Sequence, residues 1–264
     1  MLTTMTAKHS VSLNDSGEDG LSRIFEQGAL HHSRGQHTSL HSHYAWKVHI
    51  GLDAPVWVET ESRTVDQQAG ARVIVVPPGV EHRTGAVGWS LALFFAPGSR
   101  GLPFRDSTGA LVLTGSAADR FAASCRAFDL TQREATPDFA AEVADAVRVQ
   151  LGTAVGVDSR VEAALNHLHH FPDVGLPSLA RSVGLSLDRL SRLMGKETGL
   201  GLRRHVLWNK LVRFLSSNGQ HQTLSAAAVE AGFADHAHMT RTCRQFLGRA
   251  PSEFKAPPDV IGTW

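Results

Sequence analysis

The residues of this chain best suited to chemistry fall into two sets: arginine-bearing helical faces in the C-terminal third and histidines at strand spacing in the N-terminal half. In LARSVGLSLDRLSRLMGKETG (179–199), Leu187, Leu190, Leu193 and Met194 share one helical face, which leaves Asp188, Ser191, Arg192 and Lys196 pointing outward. In AAVEAGFADHAHMTRTCRQFLG (227–248), Met239, Cys243 and Phe246 form the apolar stripe, and His236, Ala237, Thr240, Arg241 and Arg244 look outward. Such a face suits a DNA major groove. An arginine there can donate to O6 and N7 of guanine, and small residues such as Ala237 and Thr240 allow close approach and touch a thymine methyl. The candidate DNA-binding set is Ser186, Asp188, Arg189, Ser191, Arg192, Lys196, His236, Ala237, Thr240, Arg241 and Arg244, with Arg192 foremost. In the N-terminal half, His41 and His43 lie two apart, so on a strand both imidazoles project to one side.

The elements that position the arginines repeat. Ala180 and Gly184 match Ala228 and Gly232 48 residues on; Arg192, Met194 and Gly199 match Arg241, Cys243 and Gly248 49 residues on. In each unit a short helix ends at a glycine able to adopt a left-handed backbone. An alanine four residues earlier lets two helices approach closely, and Ser186 or Asp235 caps the helix that follows. One such hairpin is unremarkable in a helical bundle, where surface arginines are simply solvated. Two in tandem, ending in an A-G-F-x-D-x-x-H run and G-x-x-P-x-x-F (231–254), are far more specific.

With LRRHVLWNKLVRFLSSNG (202–219) between the two units, residues 160–254 resemble the DNA-binding domain of the AraC/XylS transcription regulators. The resemblance implies seven helices carrying two helix-turn-helix motifs, joined by the helix around 202–217. The two outward faces would then enter successive major grooves about 34 Å apart, on half-sites that need not be palindromic. It also implies activation of a nearby promoter through RNA polymerase. Ala227, Met239 and Cys243 stand where larger or aromatic residues are usual, and Trp208 and Asn209 interrupt a stretch usually richer in arginine. These departures predict a less tightly packed second motif and make the first the better reader of bases.

From about 21 to 115 the text reads as short strands (46–52, 55–60, 71–78, 89–96) separated by Gly, Pro and Asp turns. GQHTSLHSHYAWKVH (35–49) and GARVIVVPPGVEH (70–82) resemble the two motifs of cupin barrels, and the PPGVEH turn would return His82 beside His41 and His43. Three converging imidazoles are how cupin enzymes hold iron, manganese or zinc, and a cupin-like barrel is the sensing domain of many AraC-type regulators. This chain departs from the enzymes in having Lys47 and Val48 where a glutamate is usual; His49 is in phase to offer a fourth nitrogen. The expected site is an effector pocket of His41, His43, Trp46 and His82, with Trp57 as a further apolar wall and with no metal and no cofactor. A bound transition metal and a merely structural role stand as alternatives. His167, His169 and His170, at a helix end, are expected to bond carbonyls or face solvent.

Charge divides the same way. Residues 1–159 hold 13 Lys and Arg against 17 Asp and Glu, whereas 160–256 hold 13 against 7, so an anionic partner should meet the C-terminal part. Two distant cysteines, no secretory pattern at the start and no apolar run of roughly 18–20 residues lead to the expectation of a soluble cytoplasmic protein without a membrane partner.

The expected fold class is α+β: an all-β cupin-like barrel, a helical connector and an all-α domain with two helix-turn-helix motifs. The expected division is a flexible tail (1–20), the barrel (21–115), a helical connector and linker offering a dimer surface or packing on its own barrel (116–158), the DNA-binding domain (159–256) and a second tail (257–264). The function read from this is a sequence-specific transcription regulator, not an enzyme, whose barrel senses a small effector or mediates dimerisation. Its partners would be promoter or operator DNA, RNA polymerase, an effector and a second copy of the chain. The rival is a metal-dependent cupin enzyme with a helical appendage.

Overall fold

Strand alternation decides what covers each face of the N-terminal sheets. The computed structural model describes residues 20–25, 28–61, 64–65, 70–96, 109–150, 157–171, 173–217, 223–247, 250–253 and 259–261. The expected first tail (save Gly20) and most of the 152–158 linker lie outside these. The strands are β1 (Leu21–Phe25), β2 (Gly28–Arg34), β3 (Trp46–Gly51), β4 (Val56–Thr60), β5 (Thr64–Val65), β6 (Val73–Val76), β7 (His82–Ala86), β8 (Trp89–Phe95), β9 (Leu111–Leu113) and β10 (Asp259–Ile261). They form a large sheet, β10-β1-β2-β8-β3-β6-β9, facing a small one, β5-β4-β7. All neighbours are antiparallel except β1 and β10.

In β3, Trp46, Val48 and Ile50 leave the sheet on one side and Lys47 and His49 on the other. Trp46, Val48 and Ile50 are buried with Val73 and Val75 of β6 under the helices α1 (Gly115–Arg126) and α2 (Thr136–Gln150), against Ala122, Phe139, Val143 and Val147. Ile74 and Val76 face the opposite way, onto Val56, Val58 and Ala86. The apolar stripe of the connector thus packs on its own sheet. Arg23 pins the connector from β1, donating to Thr136 Oγ1 (3.0 Å) and to the Leu130 carbonyl (2.6 Å). Cys125 and Cys243 are both buried, and burial pushes the Cys125 thiol up to about 12.

The C-terminal part is helical: α3 (Ser159–His170), α4 (Leu176–Ser182), α5 (Leu187–Thr198), α6 (Leu202–Ser217), α7 (Leu224–Glu230) and α8 (His236–Leu247). With the 3₁₀ turn Pro251–Glu253 these are six α-helices and one short turn among the described residues, against the seven helices expected. Two cores hold them. One joins α3, α4, α5 and the start of α6 through Val161, Leu168, Leu179, Leu190, Met194 and Leu202. The other joins the rest of α6 to α7 and α8 through Trp208, Leu211, Phe214, Ala228, Met239, Cys243 and Phe246, and it extends to Ile24 and Ala45 of the barrel.

Several expectations need correction. Leu187, assigned to the buried stripe of α5, is 38% exposed because it opens the first turn, before the helix meets its neighbours. The second motif is not loosely filled. Ala227, Met239, Cys243 and Phe246 are all fully buried, with Trp208 supplied from α6 against Phe246 at 5.4 Å. Within the expected second tail, the described residues Asp259–Ile261 form β10, which pairs in parallel with β1 and buries Ile261. No helix among the described residues is long and apolar enough to cross a membrane.

Candidate nucleic-acid interface and barrel site

The two helix-turn-helix units are built by one set of local bonds. Gly184 (φ 69°) and Gly232 (φ 85°) take the left-handed backbone that ends α4 and α7. The next residue folds back in each case: Leu185 N–H donates to the Ala180 carbonyl and Phe233 N–H to the Ala228 carbonyl, both at 2.9 Å. Each following helix is capped. Ser186 Oγ accepts from the Arg189 N–H (3.3 Å) and Asp235 Oδ1 from the His238 N–H (2.6 Å). The local chemistry expected of both turns is therefore present in both.

On α5, Asp188, Arg189, Arg192 and Lys196 are exposed and Ser191 is half-buried; on α8, His236, Ala237, Arg241 and Arg244 are exposed and Thr240 is half-buried. Arg192 Nη2 is paired with Asp188 one turn back, both side chains about three-quarters in solvent (74% and 75%), so the guanidinium is oriented but not withdrawn. Lys196 Nζ lies 3.9 Å from Glu197. Ser186 spends its hydroxyl on the cap, which makes it a positioning residue before it is a contact. Two braces were not legible in the sequence. Lys210 Nζ of α6 donates to the Gly232 carbonyl at 2.5 Å, and Arg213 is bridged to Asp173 ahead of α4. Both depend on which side of α6 each motif occupies, which no local spacing encodes. His170 Nδ1 donates to the Asn166 carbonyl at 2.8 Å, as helix-end histidines were expected to do.

In the barrel the PPGVEH turn does bring His82 back. His41 and His82 exchange backbone bonds (3.0 and 2.8 Å), and Gly79 N–H donates to the His43 carbonyl (2.8 Å). The three rings lie 4.4, 4.7 and 5.5 Å apart between centroids, and one nitrogen of each lies within 4.8 Å of the others. His43 and His82 are buried and His41 is half-buried. Burial above all, reinforced by the neighbouring positive groups, holds His43 well below the usual imidazole range and His82 at about 3, so both are neutral at neutral pH.

A cavity of about 60 Å³ lies beside this cluster, walled by Arg23, His41, Lys47, His49, Thr84 and Phe94 and closed by Leu215 of α6 and Leu247 of α8. The expected pocket needs two corrections. Trp46 lies on the other face of β3, in the core under α1 and α2, because strand alternation sends it opposite to Lys47. Trp57 alternates with the inward Val56 and Val58, and its ring covers Gly85, where a Cβ would come within 2.5 Å of it. Of the four expected pocket residues, His41 reaches the cavity wall, while His43 and His82 lie behind it. Lys47 points inward and donates to Thr84 Oγ1 at 2.5 Å. His49 is buried on the cavity side but outside the three-histidine group.

The comparisons agree with this division. Residues 179–256 match a family model described as a helix-turn-helix domain. Among solved structures the chain is similar to apo ToxT K231A from Vibrio cholerae strain SCE256 (TM-score 0.52, 8% identity, covering 86% of this chain and 96% of that one). It is also similar to unsaturated fatty acid bound wild-type ToxT of the same strain (TM-score 0.54, 8% identity, 85% and 92%). A third is ToxT from V. cholerae O395 bound to (E)-4-(8-methylnaphthalen-1-yl)but-3-enoic acid (TM-score 0.54, 10% identity, 85% and 96%). At these identities the likeness is one of fold, and it spans both domains. No curated protein sequence matches the chain.

Proposed function

We propose, for a chain whose C-terminal part is an AraC-type helix-turn-helix domain and which is thereby a DNA-binding transcription regulator, that it reads an asymmetric two-element site and reports a small effector held by its barrel. The observation that carries this reading is the pair of capped, arginine-bearing helices α5 and α8 braced on a single helix, α6. At 1.5 Å per residue the 16 residues of α6 measure about 24 Å. Adding a helix width of about 10 Å gives a span on the order of one turn of duplex. Lysines and arginines at the margins supply phosphate contacts and a steep salt dependence. Arg192, exposed and held by Asp188, is the leading base reader.

The effector reading rests on the cavity. At about 60 Å³ it is far below the roughly 300–1,000 Å³ of ordinary ligand pockets, so an organic effector must push its walls apart. Two of those walls, Leu215 and Leu247, belong to α6 and α8, so filling the barrel displaces the helices that carry the DNA face. A ligand with different affinity for the two arrangements then shifts DNA affinity reciprocally. Lys47 at the wall suits an acidic apolar molecule, the chemistry bound by two of the similar ToxT structures. Output through RNA polymerase, as an activator, completes the reading.

The test is selection of bound sequences from random DNA with the full chain. Two conserved elements about one helical turn apart are expected. Recovery of no motif, or of one element only, overturns the two-motif reading. A promoter reporter carrying the selected site then gives the sign of regulation.

A further inference from the structure

The arginine-bearing helices α5 and α8 align at an offset of 49 residues, which sets the cap Ser186 against Asp235 and Arg192 against Arg241. The same offset sets Asp188 against Ala237. An acidic side chain one turn before the arginine is therefore present in the first motif and missing from the second. In the structure Asp188 Oδ2 accepts from Arg192 Nη2 across that turn, with both side chains about three-quarters in solvent. Arg241 is exposed and has no hydrogen bond or ion pair among the described residues. The nearby Asp235 carboxylate is engaged at the cap, where it accepts from the His238 N–H. An exposed pair such as Asp188 and Arg192 adds little to stability, so its consequence lies in what the two groups present to DNA.

Donors and acceptors can be counted. The guanidinium carries five N–H groups in a planar fork, and Asp188 engages one of its nitrogens. Two more N–H groups match O6 and N7 of a guanine. The carboxylate keeps a second oxygen, Oδ1, with no partner among the described residues. In the major groove that oxygen needs a donor. Cytosine offers only the N4 amino group there, whereas the adenine amino group is flanked by the acceptor N7, and thymine and guanine present acceptors that repel a carboxylate. Four residues rise about 6 Å along the helix, and base pairs stack about 3.4 Å apart. The two groups thus reach bases within two steps of each other. Away from such a site the carboxylate faces phosphates and bare acceptors, which weakens binding to every other sequence.

We propose that Asp188 is the specificity-determining residue of the first motif: it holds the Arg192 fork for a guanine, accepts from the amino group of a neighbouring cytosine, and penalises DNA that lacks the two together. The second motif, with Ala237 in the matching place, reads its guanine through Arg241 alone and tolerates its neighbours. The two elements of the site therefore differ in stringency although the two motifs share turn and cap. This inference rests on the DNA-binding reading and deepens it by naming the bases and the residue that discriminates between them.

The test uses full-length parent, Asp188→Ala, Asp188→Asn and Ala237→Asp chains. Each selects from random duplex DNA, and its affinity is measured at one salt concentration for the parent's selected site and for a random-sequence duplex. The parent should select guanine with cytosine within two base pairs in one element, and guanine without a fixed neighbour in the other. Asp188→Ala should lose the cytosine, bind the random duplex at least threefold more tightly and cut the ratio of specific to random affinity at least tenfold. Asp188→Asn should move the preference from cytosine toward adenine, whose N6 and N7 match an amide. A residue that merely supported the helix would not change which base is chosen. Ala237→Asp should weaken binding to the random duplex at least threefold and add a neighbouring-base preference to the second element. Both positions are exposed, so thermal melts of the variants should follow that of the parent. A cytosine preference that survives Asp188→Ala overturns the proposal, as does an unchanged affinity ratio, and either leaves the regulator reading standing. A parent chain that selects no motif at all sinks both.

Discussion

The two helix-turn-helix units share their turn and their capping logic, yet they are anchored differently. The first closes its core within the helical domain: among the described residues, Leu179, Leu190 and Met194 cluster with α3 and the start of α6 and with no apolar residue of the barrel. The second shares its core with the barrel through Ile24 and Ala45, and Tyr44 meets Phe246 edge to face. Beyond it the chain runs on to β10, which joins the barrel sheet beside β1. Equal local grammar thus produces a self-supported motif and one whose position depends on the N-terminal domain. The second motif is therefore the one packed directly against the barrel.

The largest expected effect tests that difference in anchoring. Phe246→Ala should cost about 3–5 kcal/mol and Leu190→Ala about 2–5 kcal/mol in urea unfolding. Only the former should also raise hydrogen exchange in β1 and in residues 43–46. Equal loosening of the barrel by both would erase the contrast.

Next comes DNA affinity. Arg192→Ala should lose about 1–3 kcal/mol and relax preference at one base position in binding assays on variant sites. A loss equal on every sequence would instead make Arg192 a phosphate contact. Arg241→Ala should lose a comparable amount at the other element, and its deficit should vary with whether the barrel holds an effector, whereas that of Arg192→Ala should vary less.

A third test uses acid. His205 on α6 is fully buried against Thr198 at the end of α5, Nε2 to Oγ1 2.8 Å, and burial lowers its pKa to about 4. The unfolded chain takes up this proton near pH 6.5 and the folded chain refuses it until about pH 4. The stabilisation is therefore whole above pH 6.5 and falls as pH drops toward 4, by up to about 1.4 kcal/mol per unit for this one group. Thermal midpoints between pH 7.5 and 4.5 should show the slope, and His205→Gln should make it shallower, leaving the share contributed by the buried barrel histidines His43 and His82.

The smallest effects are the caps. Ser186→Ala and Asp235→Ala should each cost about 1 kcal/mol. Melting of the full chain should respond to the two alike, because caps are local and blind to the anchoring that separates the motifs.

Much of the build of the two helix-turn-helix units was legible from the linear text. The stripe Leu190 and Met194, the turn glycines Gly184 and Gly232, and the caps Ser186 and Asp235 all act within a few residues, so spacing alone reveals them. The histidine cluster was legible for the same reason, since a two-residue spacing and a short turn suffice to gather His41, His43 and His82. Leu187 was misread because periodicity finds a face but cannot say where along the helix a neighbour begins.

What the chain's order of residues determined, then, is its local vocabulary: which segments are strand or helix, where they turn, and which side chains share a face. Only the tertiary structure decided what lies against each face. It placed Trp46 under α1 and α2 and away from the cavity, turned Lys47 inward to Thr84, spent the connector's apolar stripe on its own sheet, and paired Asp259–Ile261 with a strand more than 200 residues earlier. The physical reason is the same in each case. Both faces of a strand or helix can be apolar enough to bury, and the choice between them belongs to distant partners whose arrival no short-range pattern records.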